Sequence, residues 1–131
     1  MPVIINGTTG VTTPGISVDG TTAGVNGAFF SIFDNDSPVV TSYTPQLTPS
    51  NWKYIQNSGA FTFIAPAASG ADSAYSMVVY MQNVTGAGAV TMSGFNRVVG
   101  DSFTTTVGHV FFIYITVFGA GNKIANVVAA Q

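Results

Sequence analysis

Residues 110–118, Val-Phe-Phe-Ile-Tyr-Ile-Thr-Val-Phe, contain no charge, no glycine and no proline, and every one is β-branched or aromatic. Such a run is a strand, and successive side chains of a strand leave on opposite faces. Phe111, Ile113, Ile115 and Val117 then fill a core. Phe112, Tyr114, Thr116 and Phe118 fall on the other face, where a strand with one wet side would carry polar residues. That second face needs a cover of its own, either a neighbouring subunit or a loop such as residues 66–72. Residues 75–81 repeat the problem, with Met77, Val79 and Met81 on one face and Tyr75 and Tyr80 assigned to the other.

Charge is scarce everywhere else. Three Lys or Arg and five acidic residues, all Asp, make up 6% of 131 residues, while 47% are hydrophobic. A folded monomer of this size exposes roughly 6,500 Å², so about one charge serves each ~800 Å², the area one partner buries in a standard interface. Much of the surface is therefore expected to meet protein, as in an obligate oligomer. Arg97, Lys53 and Lys123 are scattered and the net charge is −2, so no basic stripe exists to neutralise phosphates and no nucleic-acid partner is expected. Cysteine is absent, which removes disulfides and thiolate chemistry and fits assembly in a reducing cytosol. The opening Met1-Pro2-Val3-Ile4-Ile5-Asn6-Gly7 has no basic n-region, so no secretory signal is expected, and no stretch is long enough for a membrane helix.

Composition changes near residue 28. Residues 1–27 are mostly Gly, Thr, Val and Ile, with two similar units, Ile5-Asn6-Gly7-Thr8-Thr9-Gly10-Val11 and Val18-Asp19-Gly20-Thr21-Thr22-Ala23-Gly24-Val25. Asn-Gly and Asp-Gly supply tight turns, and β-branched flanks favour extended chain. Two such units cannot close a core, so this segment is either a loose linker or an extended β arm docked on a neighbour through Ile4, Ile5, Val11 and Val18. Residues 28–131 carry strand signals at 28–33, 39–43, 52–56, 60–64, 75–82, 90–93, 97–103, 110–118 and 123–129, with turn residues between them. No window sustains a helical period. The fold expected is all-β, a jelly-roll-like two-sheet sandwich with an extended N-terminal β arm.

Chemistry-bearing groups are few. His109 is the single imidazole, which precludes a multi-histidine metal site within one chain, and following Gly108 at the start of the longest strand it reads as a hydrogen-bonding strand-end residue. Asp34-Asn35-Asp36-Ser37 resembles the opening of a calcium loop but lacks a Glu to close it, so a turn bonded to its own backbone is expected. Gly15-Ile16-Ser17-Val18-Asp19 misses the nucleophile elbow at its last position, and Gly119-Ala120-Gly121-Asn122-Lys123 is too short for a phosphate loop. No catalytic residue, metal site or cofactor is expected. Trp52, Tyr43, Tyr54, Tyr75 and Tyr80 could make a sugar-stacking platform, although strand aromatics more often anchor cores or interfaces.

The opening Ile4-Ile5-Asn6-Gly7-Thr8-Thr9-Gly10-Val11-Thr12-Thr13-Pro14-Gly15 resembles the start of many tailed-bacteriophage fibre and head-decoration proteins. The later half is similar to a small β module of phage structural proteins: Phe61-Thr62-Phe63-Ile64-Ala65-Pro66, an apolar strand, Gly86-Ala87-Gly88-Ala89-Val90-Thr91-Met92, Thr104-Thr105-Thr106-Val107-Gly108, the long strand, and Gly121-Asn122-Lys123-Ile124. The resemblance implies a non-enzymatic virion protein, commonly a homotrimer. An arm plus one sandwich is short for a fibre and more like a capsid decoration or cement protein bound to the major capsid protein. The alternative it leaves is a short tail fibre or receptor-binding tip holding a host glycan. On the decoration reading, Tyr80, Phe112, Tyr114 and Phe118 form the oligomer interface.

Overall fold

The computed structural model describes residues 33–130 apart from Pro38, Val40 and residues 69–73. Nine strands and no helix occur among them: β1 (Asp34–Asn35), β2 (Ser42–Tyr43), β3 (Trp52–Asn57), β4 (Phe61–Ile64), β5 (Ala74–Asn83), β6 (Val90–Ser93), β7 (Arg97–Gly100), β8 (Val110–Phe118) and β9 (Asn122–Ala130). They form a six-stranded sheet in the order β1-β3-β5-β8-β9-β7 and a three-stranded sheet in the order β2-β4-β6. The expected all-β, two-sheet architecture is present. The expected arm, residues 1–27 with Ile4, Ile5, Val11 and Val18, lies outside the described residues.

The pairing departs from a jelly roll in its strand directions. From β1 to β6 the chain alternates between the sheets, and each strand lies parallel to the one two places earlier: β1 with β3, β3 with β5, β2 with β4, and β4 with β6. A jelly roll is built from antiparallel Greek keys. Here the chain coils, returning to each sheet in the same direction. The coil then ends: β7 takes the far edge beside β9, parallel to it, and β8 and β9 fill the gap beside β5 as an antiparallel pair.

Two buried asparagines hold successive coils in step. Asn57 and Asn83 are register partners at the ends of β3 and β5, and both are buried. The Asn57 amide donates to Asn83 Oδ1 at 2.9 Å and to the Gly88 carbonyl at 2.9 Å. Its Oδ1 accepts from the N–H groups of Gly88 at 3.1 Å and Gly59 at 3.3 Å. Asn83 donates in turn to the carbonyls of Thr104 at 2.7 Å and Thr106 at 3.1 Å. Asn57 thus satisfies loops that leave one sheet for the other and Asn83 the connection from β7 to β8, places where backbone groups have no ladder partner. Gly88 is required by this closeness, since a Cβ there would lie 2.0 Å from the Ala60 backbone nitrogen.

The core follows the strand period. Odd-numbered residues point inward in all the long strands: Ile55; Met77, Val79 and Met81; Phe111, Ile113, Ile115 and Val117; Ala125 and Val127. Tyr43, Phe61 and Phe63 meet them from the small sheet, and Phe95 and Phe103 close the flank, Phe103 with its ring 5.2 Å from that of Phe111. Tyr75 corrects the face assigned to it, because it shares the parity of Met77 and packs on the core, its hydroxyl bonded to the Ala67 carbonyl. Strand β1 falls within an expected turn. It pairs there because Asp34 and Asn35 lie in register with Lys53 and Tyr54, and the Asp36 N–H continues the ladder to the Tyr54 carbonyl at 3.0 Å.

Asn83→Ala removes the donor that two loop carbonyls share and one partner of Asn57. Leaving buried polar groups unpaired costs ~1–3 kcal/mol each, so a loss of about 3 kcal/mol is expected in urea denaturation. A loss below ~1 kcal/mol would show that the amide pair is dispensable.

Candidate functional site

The outward, even-numbered positions of the six-stranded sheet build one continuous surface. Tyr54, Tyr80, Phe112 and Val128 are register partners across β3, β5, β8 and β9, forming a single row. The rings touch in sequence: Tyr54 and Tyr80 have centroids 5.5 Å apart, and Tyr80 and Phe112 meet edge-to-face at 5.3 Å. Phe112 stacks on Tyr114 at 6.3 Å, and Phe33 meets Tyr54 at 6.3 Å from the β1 side. The neighbouring row is Trp52, Val78, Tyr114 and Asn126. Over β3, β5, β8 and β9 no outward position carries Asp, Lys or Arg.

The exposure on this face is large for apolar side chains: Trp52 42%, Tyr114 45%, Phe118 42% and Val128 39%. Polar bonding is confined to one end, where Gln56 Nε2 donates to the Tyr54 hydroxyl at 2.8 Å and that hydroxyl donates to Gln82 Oε1 at 3.0 Å. Among the interface residues read from the sequence, the fold brings Tyr80, Phe112 and Tyr114 together. Phe118 sits apart at the strand end, opposite Ala74 and Asn122. Trp52, Tyr54 and Val128 were not in that set. The signal for the tyrosines is a repeat, Tyr54-Ile55-Gln56-Asn57 and Tyr80-Met81-Gln82-Asn83, whose two copies the fold superposes in register.

The five aromatics of the possible sugar platform divide between the faces. Trp52, Tyr54 and Tyr80 share the outer face and, with Phe33 and Lys53, line a slot of about 230 Å³. Tyr43 is part of the core, and Tyr75, half-buried, packs against it from the inner face. The slot offers rings but hardly any polar surface for sugar hydroxyls.

Most of the other singled-out groups hold the fold through hydrogen bonds. His109 Nδ1 bonds the Thr104 hydroxyl at 2.8 Å, and its backbone carbonyl accepts from Asn83 N–H at 2.9 Å. In the Asp34–Ser37 segment, Asn35 Oδ1 accepts the Ser37 N–H at 3.1 Å, as expected of a self-bonded turn. The two carboxylates instead face inward: Asp34 Oδ2 lies 2.6 Å from Lys53 Nζ, and Asp36 Oδ2 accepts the Tyr43 hydroxyl at 2.6 Å. Asp101 Oδ2 accepts the Ala129 N–H at 2.8 Å, extending β9 beyond the reach of β7. Among the described residues no group of three or more His, Cys, Asp or Glu side chains converges. No protein-family model matches this chain, and no curated protein or solved structure does either.

Burial, then the hydrogen bond to Asp36 and the charges of Asp36 and Asp34, push the Tyr43 phenol far above its ordinary range. The unfolded chain releases this proton near pH ~10 while the folded chain keeps it, so the contribution is intact below about pH 10 and declines as pH rises above it. Tyrosinate absorbance of the native protein should therefore be the same for wild type and Tyr43→Phe. A native-state phenol titrating in wild type but missing from the variant would contradict this environment.

Proposed function

We propose that this chain is a non-enzymatic structural protein of a tailed-bacteriophage virion, a capsid decoration or cement protein that binds the assembled shell as a homotrimer and stabilises it. The observation that carries the assembly part is the uncharged aromatic face. Parallel strands such as β1, β3 and β5 usually lie covered on both sides, and here the outer side holds stacked rings with no covering element among the described residues. A second subunit on that face would bury them. The virion assignment rests on the resemblance of the arm and of the Gly- and Thr-rich β module to phage structural proteins. In this reading residues 1–27 form the arm that reaches a neighbour or the major capsid protein.

Mechanistically, a protein that binds only the assembled shell stabilises it by mass action, by RT ln(1 + [L]/Kd) at each site. Apolar burial and backbone pairing drive such attachment, so it should respond weakly to salt. A short tail fibre or receptor tip would use Trp52, Tyr54 and Tyr80 to stack on a host glycan, and the apolar slot gives that reading less support.

Phe112→Asp places a carboxylate in the middle of the aromatic row, at a cost of roughly several kcal/mol once covered. Sedimentation should give a trimer for wild type and a folded monomer for the variant, and only wild type should pellet with purified capsids, with little change on adding salt or chelator. A wild-type monomer at micromolar concentration would overturn the interface. Failure of a wild-type trimer to bind capsids would overturn the decoration role.

A further inference from the structure

We propose that Lys53 and Asp34 are the reactants of an intramolecular cross-link, an amide between Nζ and Cγ that ties β1 to β3. The two residues are direct register partners on parallel strands, so the backbone itself holds them face to face. Nζ lies 2.6 Å from Asp34 Oδ2, which puts the carboxyl carbon about 3–3.5 Å away, the range of a near-attack geometry. The Lys53 side chain is 1% exposed, whereas that of Asp34 is 27% exposed. The nucleophile is thus shielded from bulk water, while the carboxyl group has a way out for a leaving molecule.

Hydrogen bonding favours the product. An ammonium has three donors, yet among the described residues Lys53 Nζ finds only Asp34 Oδ2 and, at 3.4 Å, the Thr48 carbonyl. An amide nitrogen has one N–H, and the Thr48 carbonyl can accept it. No buried donor is then left over. The step balances without any co-reactant. The ammonium gives one proton to the carboxylate, the amine lone pair forms the N–C bond, a second proton passes from nitrogen to the departing hydroxyl, and the C–O bond breaks to release one water. Holding the pair in this geometry corresponds to an effective molarity on the order of 10⁵–10⁸ M, which offsets the preference for hydrolysis in open water.

The cross-link also suits the fold. Strand β1 has two residues at the edge of the sheet, and the chain has no cysteine with which to staple it. This inference is independent of the assembly reading.

Intact-mass measurement of the purified full chain after prolonged incubation tests it. The expected mass is about 18 Da below that of the sequence, one water lost. Trypsin should then fail to cut after Lys53, leaving residues 1–97 as one peptide with the same deficit. Lys53→Arg should restore both the full mass and the cleavage at position 53. Asp34→Asn, which can release only ammonia, should instead lose about 17 Da. A wild-type mass equal to that of the sequence, with normal cleavage after Lys53, would reduce the pair to an ion pair and overturn the proposal.

Discussion

Register between the coils depends on the side chains of Asn57 and Asn83. Each strand from β3 to β6 ends in a loop that changes sheet, and a loop in that position has backbone groups without ladder partners. The Asn57 amide uses both donors and its oxygen on such groups and on Asn83, and Asn83 carries the same function to the loop before β8. A slip of one residue between β3 and β5 would separate these amides and leave several buried polar groups unpaired, each costing ~1–3 kcal/mol. The same register places Tyr54 on Tyr80 and both beside Phe112. The polar lock inside therefore sets the aromatic row outside.

That row explains the scarcity of charge as a property of surface, not of core. Inward positions are apolar in any sandwich, so they cannot by themselves account for a chain with 6% charged residues. The outward positions can. Four strands ~4.8 Å apart and about nine residues long present roughly 500 Å², at the upper end of the largest patches on monomers and over half of what one partner buries in a standard interface. A face of that size carries no charge to repel a second copy, which is why the proposed assembly places another subunit on it.

Alternation made most strands legible. The bounds of β8 and the two faces of its side chains follow directly from Val110–Phe118, and β5, β6 and β9 were readable to within a residue or two from β-branched runs between Gly- and Asn-rich turns. Strand direction was not legible, because alternation is the same in parallel and antiparallel sheets. The parallel coil lay instead in the repeated Tyr-x-Gln-Asn, partly hidden by three extra residues between Asn83 and Val90 relative to Asn57 and Phe61. Strand β1 was hidden for a different reason. Asp34-Asn35-Asp36 has turn chemistry, and only the buried Lys53, nineteen residues on, makes an Asp worth holding in a strand. Tyr75 misled because parity was not applied to it: it shares the odd numbering of Met77 and packs on the core side.

The central claim is that the outer face of the six-stranded sheet is covered by another subunit, and the single tryptophan reports on it. Trp52 lies in that face, 42% exposed in one chain. Its fluorescence and its quenching by acrylamide should be followed by dilution through the dissociation range established by sedimentation. Emission is expected to be blue-shifted and weakly quenched in the assembled protein, and to turn red-shifted and freely quenched as subunits separate. Equal quenching of Trp52 in the assembled and dissociated protein would contradict the claim.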